Sequence, residues 1–412
     1  MKKFIEIVNK YVSPFATKLS RNLWIASLQD AILSTLPLTL VGSVVSVLSI
    51  LNNYFTWFPD LTPISSFSFG LIGLALAFVF PVFILQRKKM DNKKNLAGIA
   101  NVGLYLMFTV PIFGENGEWI FQGDNFGSGG MFLAIIAGIF TAFVFILMEK
   151  LSFFKNNDTI PDYIVSSFDS FMPILVILLC GYMVVFVAQI NFLEVLTTAL
   201  SPLTNFGQSY LGLLAYILVT TVLYSFGISP WLLYGLFYPI QLAGISENTE
   251  LVRQGLEAVN INTGEVVQGL VTLGGMGVTL PLAILLLFTK SARLKAIGKV
   301  GIIPSIFNIN EPIVFGAPIM LNPLMMIPFW INSFLAPTIV YFTLHSGLVA
   351  IPDKIFNLWF IPAPIQGYLV TGDFKAIFLV IVVFVVAALV WYPFLQAYDK
   401  EEMMLEAERN DG

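Results

Sequence analysis

The sequence predicts an all-α integral membrane protein, and three observations carry that prediction. Hydrophobic residues fill 57% of the 412 positions and charged residues only 11%, with 38 Phe among them, more than a water-soluble core requires. Apolar windows of about 17–25 residues recur at about 31–51, 67–86, 96–113, 131–148, 171–190, 210–226, 228–245, 270–289, 329–350 and 376–396, each long enough to cross the hydrocarbon as a helix. With ten such spans and both termini in the cytoplasm, 18 of the 21 Lys and Arg fall in cytoplasmic segments, leaving only Arg253, Lys354 and Lys375 outside.

Residues 1–30 are expected to form an interfacial N-terminal helix. Phe4, Ile7, Val8, Tyr11, Phe15 and Leu19 recur at helical spacing, with Lys2, Lys3, Lys10 and Lys18 interspersed, and no small-residue cleavage site follows them. Residues 31–190 carry clean apolar runs with short polar loops, the pattern of a scaffold and dimerisation domain. Just before them, Gln29 and Asp30 open the first span, a charge at a helix start, and within them 149–171 alternates charged and apolar residues as an interfacial connector would.

Residues 191–396 differ, because proline, glycine and polar residues interrupt the apolar stretches at 225–231, 273–279 and 307–328. Freed backbone groups at neighbouring breaks are the sequence pointer to a transporter's substrate site, so this part is expected to be the transport domain. Trp359 to Tyr368 is too short and too rich in proline for a span. It is expected to be a second re-entrant hairpin beside the one at the Asn308 region, closed by Thr371-Gly372-Asp373. Residues 397–412 are expected to be a helix-prone, solvated cytoplasmic tail.

The small net charge of −4 implies no nucleic-acid partner. Cys180 is the single cysteine and His345 the single histidine, and neither has a partner at ligand spacing, so no metal and no cofactor is expected.

One stretch, Ile303 to Ile313, concentrates the chemistry. It holds Asn308, Asn310 and Glu311 between Pro304 and Pro312 in an apolar, membrane-length region, with Asn322 beyond. An ionisable residue at membrane depth costs a few kcal/mol at least, which makes Glu311 a candidate functional residue. A carboxylate accepts from two adjacent hydroxyls while an amide both donates and accepts, so the group suits a sugar. The alternative role for Glu311 is to cap amides freed by the broken backbone. Gly274 and Gly275 lack the preceding strand of a dinucleotide site; they either expose backbone to ligand or permit close packing. Trp359 either stacks on a sugar face or anchors at the interface. No second carboxylate, metal cluster or nucleophile accompanies Glu311 within the spans, which argues against an enzyme that works through Glu311 as acid or base.

The run from Ser291 to Pro323, with Asn308-Ile309-Asn310-Glu311-Pro312 at its centre, resembles the membrane-spanning IIC component of phosphotransferase-system sugar transporters, in the lactose, cellobiose and diacetylchitobiose group. Weaker resemblance extends from Asp30 through Gly274-Gly275 and Pro364 to Leu369. The resemblance implies a homodimer of ten-span subunits in the bacterial cell membrane, an elevator-type movement of a sugar-holding part, and phosphorylation of a β-linked disaccharide or β-glucoside by a separate IIB protein charged through IIA. It places Glu311 on the family's sugar-binding glutamate and Trp359 near a family tryptophan. The chain itself is expected to carry no phosphoryl group and no catalytic residue, and with no IIA or IIB domain in sight it needs those partners in trans. Where the family reads Phe-Gly-Ile-His-Gly, this chain reads Phe226-Gly227-Ile228-Ser229-Pro230. Ser229 can hydrogen-bond but cannot act as a general base at neutral pH, so an uncoupled sugar facilitator or sensor is the second reading.

Overall fold

The computed structural model describes residues 22–49, 57–114, 116–149, 162–317 and 319–410. The expected interfacial helix lies mostly outside these residues, as does much of the 149–171 connector. The described chain is helical, and six helices are long and apolar enough to cross a membrane, or seven if a pair broken at Ser209 is one span. It divides into two compact units, residues 19–204 with 234–239, and residues 205–233 with 240–412.

In the first unit, α1 (Leu23–Ser49), α2 (Thr62–Ser66), α3 (Ile72–Arg87), α4 (Lys94–Phe108), α5 (Met131–Met148) and α6 (Asp162–Tyr182) follow in order, with the small hairpin β1 (Ile112–Phe113) and β2 (Trp119–Ile120) between α4 and α5. The boundary expected at residue 30 falls inside α1. Asp30 is therefore not a helix start, and its carboxylate pairs with Arg87 at the end of α3. Asn101 shows how polar groups are satisfied in an apolar bundle. Fully buried on α4, it donates to Ala77 O on α3 (2.6 Å) and accepts from Thr141 Oγ1 on α5 (2.9 Å), which fixes the register of three helices.

α7 (Phe192–Gln208) leads to α8 (Tyr210–Ser225), whose first turn is capped by the Ser209 hydroxyl accepting from Gly212 N at 3.1 Å. α9 (Trp231–Arg253) comes next. The window at 270–289, expected to be one continuous helix, is broken in its first half. A short α10 (Gly264–Val266) continues as a π turn over Val267–Val271, a glycine turn follows, and only then does α11 (Leu280–Leu286) begin. The reason is the backbone: Gly274, Gly275 and Gly277 sit at φ of 77°, 104° and 76°, which no right-handed helix contains.

α12 (Ala292–Ile306), α13 (Glu311–Gly316), α14 (Pro323–His345), α15 (Ala363–Thr371) and α16 (Lys375–Asn410) complete the second unit. In place of a second hairpin of paired arms, α15 is a single nine-residue helix entered through Pro362 and ended by Gly372 in the left-handed conformation (φ 66°). The expected solvated tail is also corrected. α16 runs unbroken through residue 399 to Asn410 and turns its acidic residues onto the start of α12. Asp399 accepts from Lys290 N and Ser291 N (2.9 and 2.8 Å), Glu406 from Ser291 Oγ and Arg293 N (2.7 and 3.0 Å), and Glu402 pairs with Arg293 at 2.7 Å. Carboxylates at a helix N-terminus satisfy amides that have no partner within the helix.

Candidate functional site

The site forms where α12 ends. Phe307 and Ile309 both return their amides to Pro304 O, and Asn308 between them takes a left-handed φ of 61°, a conformation asparagine tolerates. This turns the Asn308 side chain across the unit. Its Oδ1 accepts from Gly274 N at 2.8 Å, and its Nδ2 donates to Trp359 O at 2.6 Å, with longer bonds to Ile361 O (3.3 Å) and Gln366 Oε1 (3.2 Å). One amide thus fastens three separate pieces of chain.

Asn310 performs a second fastening. Buried, it donates through Nδ2 to Met276 O at 2.9 Å and accepts from Tyr224 Oη at 3.3 Å. Gly275 makes this approach possible, since a Cβ there would lie 2.5 Å from Asn310 Cγ. Close packing is the reading this geometry supports for Gly274 and Gly275. The Gly274 N–H is engaged by Asn308 while the Gly275 N–H goes to Thr272 O. Trp391 holds the far side of the same turn, donating from Nε1 to Val278 O at 2.9 Å.

Glu311 differs from both asparagines. It is exposed at the first position of α13, and among the described residues no hydrogen bond or ion pair engages its carboxylate. The capping role is not what it does, because α13 has no side-chain cap at its start. What remains is a carboxylate within electrostatic reach of Tyr224 and flanked by rigidly held backbone. Such a group is available to accept hydrogen bonds from a ligand's hydroxyls.

The other expected residues divide by role. Asn322 caps α14, accepting from Leu324 N at 3.1 Å. Trp359 is half-buried with its carbonyl held by Asn308, and its ring stands edge-on to Phe360 at 5.8 Å. Ser229 is exposed in the turn after Gly227 (φ 85°), its Oγ accepting from Trp231 N at 3.4 Å, and this turn is tied to the start of the next segment by Leu321 N donating to Ser225 O at 3.0 Å. Sequence reasoning missed Tyr224 and Gln366 as parts of the site. Gln366 is fully buried beside Asn308, and a glutamine within the proline-rich run was the one available signal. His345 lies apart, on a cavity of ≈ 640 Å³ lined also by Glu257 and Asp353, which shares no residue with this cluster.

With this geometry in view, comparison with known proteins is decisive. The sequence model of the family described as "Phosphotransferase system, EIIC" matches residues 29–333. The chain belongs to that family. Like other EIIC components it is a membrane permease subunit of a sugar phosphotransferase system, a multi-pass protein of the plasma membrane whose family works with a sugar and with IIB and IIA partners. Among curated relatives, the cellobiose-specific EIIC component of Geobacillus stearothermophilus is 28% identical over 440 residues, covering 98% of this chain and 96% of the relative. The lactose-specific EIICB component of Lactococcus lactis subsp. lactis is 29% identical over 446 residues, covering 100% of this chain and 74% of that longer protein. Among solved structures, the transporter ChbC, the IIC component from the N,N'-diacetylchitobiose-specific phosphotransferase system, superposes with a TM-score of 0.88 at 26% identity, covering 97% of this chain and 99% of that one.

Proposed function

We propose that this EIIC component translocates a β-linked disaccharide or β-glucoside of the cellobiose type and presents it to phosphorylated IIB, with Glu311 as the acceptor for the sugar's hydroxyls. The observation that carries the reading is the contrast within one motif. Asn308 and Asn310 are engaged in holding backbone, whereas the adjacent Glu311 carboxylate is exposed and unengaged. A rigid frame around one unengaged acceptor is what a preorganised binding site needs. Asn308, Asn310, Gly274, Gly275 and Asn322 shape that site, and Trp359 and Ser229 border it.

The sugars for which these two relatives are named, cellobiose and lactose, and that of the structural neighbour, diacetylchitobiose, are disaccharides, which supports the substrate class. In this reading the subunit has ten spans with both termini in the cytoplasm, residues 31–190 form the scaffold of a homodimer, and residues 191–396 move as an elevator. The charge asymmetry of the loops supports that orientation. The phosphoryl group comes from IIB, and the chain contributes positioning of the acceptor hydroxyl.

Isothermal titration of the purified protein with cellobiose, lactose and diacetylchitobiose tests the reading. Saturable binding of at least one, lost in Glu311→Ala with the fold intact, is the expected result. Equal binding by wild type and variant would remove Glu311 from the site.

A further inference from the structure

Glu265 is 3% exposed and belongs to none of the functions assigned above. It sits on α10, whose start is fixed by the Thr263 hydroxyl accepting from Val266 N at 3.3 Å. One carboxylate oxygen accepts from Phe356 N at 2.9 Å, and the other meets no donor at full hydrogen-bond geometry, although the Thr263 hydroxyl and the Glu265 amide lie close to the carboxyl. No lysine, arginine or histidine forms an ion pair with it among the described residues. A buried carboxyl in this condition is costly as an ion, so its retention calls for a role.

Its place in the chain suggests that role. The segment that begins at Glu265 ends in the turn whose Gly274 N and Met276 O bind Asn308 and Asn310. The segment that begins at Phe356 continues to Trp359 and Ile361, whose carbonyls bind Asn308. The same two pieces of chain are therefore joined twice, once through Asn308 and once by the Glu265 side chain directly.

We propose that Glu265 is a positioning residue for the sugar site: its carboxyl pins residues 264–277 to residues 356–361, and binding of a proton to that carboxyl strengthens the pin. The proposal rests on the sugar-site reading for its functional consequence. Burial pushes the Glu265 carboxyl up to about 7, against the opposing pull of the Phe356 amide, its own amide and the Thr263 hydroxyl. No charge contributes to this: the titratable groups on the segments packed against α10 are Tyr368 on α15 and Asp353 and Lys354 before Phe356, and none of them shifts it. The sign follows from linkage. A carboxyl released to solvent titrates near its ordinary 4.5, so between about 4.5 and 7 the pinned state keeps a proton that the released state loses. Pinning is strongest in acid, weakens as pH rises through that window and levels off above it.

The test is hydrogen exchange over residues 353–361 in the sugar-free, full-length protein, at about pH 5.5 and about pH 8 after correction for intrinsic rates, for wild type, E265Q and E265A. Glutamine keeps the acceptor for Phe356 N and stays neutral. The expected result is several-fold faster exchange at the higher pH in wild type, slow exchange at both in E265Q, and fast exchange at both in E265A. Disaccharide titration of the same proteins at about pH 5.5 should show affinity falling roughly tenfold in E265A and recovering in E265Q. Exchange that changes with pH equally in wild type and E265Q overturns the proton's role, and this comparison stands even if E265A fails to fold. Exchange alike in wild type and a folded E265A overturns the pin. If wild type binds none of the sugars, the sugar-site reading fails while the exchange result still judges the pin.

Discussion

Asn308 and Trp359 are joined by a 2.6 Å hydrogen bond from a side-chain amide to a main-chain carbonyl, across 51 residues of sequence. The bond converts a helix end into a junction, because the same side chain also holds Gly274 N. Replacing Asn308 therefore separates two effects. Asn308→Gly keeps the left-handed backbone accessible but loses the fastening, whereas Asn308→Ala loses both. The alanine variant should be less stable than the glycine variant by about 1 kcal/mol, read from denaturant midpoints, and both should bind sugar poorly.

Glu311→Gln should weaken sugar binding by about 1–3 kcal/mol, the range for a lost charge-assisted hydrogen bond, with thermal stability unchanged. Stability is unaffected because no described residue depends on the carboxylate. Calorimetric titration beside a melting curve checks both halves.

Gly275→Ala is expected to disrupt the fold of the second unit. The added Cβ meets Asn310 Cγ at 2.5 Å on a backbone at φ 104°, so strain and clash act together, and the loss should exceed about 2 kcal/mol. Gly264→Ala, where a Cβ meets nothing within 4 Å, is the control and should melt like wild type.

Ser229→His should accelerate sugar phosphorylation by IIB, since the exposed turn has room for the larger side chain and an imidazole titrates near neutral pH. The initial rate of sugar-phosphate formation measures it, and an unchanged rate would mean that the position does not limit transfer.

Much of this was legible in the chain. Apolar windows located most of the long helices, because membrane burial imposes length and composition locally, but not the break within 270–289, and the carboxylate of Glu311 announced itself by lying among apolar residues. What each polar side chain holds was not legible. Asn308, Asn310 and Asn322 look alike in sequence, yet one bridges segments, one braces a turn and one caps a helix, and only tertiary contacts separate these roles. Glu265 escaped notice because it precedes an apolar window in a polar-looking stretch, and its hydrogen-bond partner Phe356 lies 91 residues away. The same limit applied to Asp399, Glu402 and Glu406, which read as a solvated end until their partners on α12 are known. Removing residues 398–412 should accordingly lower the melting temperature, which trimming a solvated tail would not do.

The central claim, a sugar permease that binds its sugar at Glu311 and works with phosphorylation by IIB, is tested most directly by uptake of radiolabelled cellobiose into right-side-out vesicles holding phosphoenolpyruvate with the IIA and IIB proteins, followed by separation of internal sugar by charge. The account predicts phosphorylated sugar inside wild-type vesicles only when the partners are present, and far less with Glu311→Gln. Unmodified sugar equilibrating regardless of the partners, or uptake indifferent to Glu311→Gln, would contradict it.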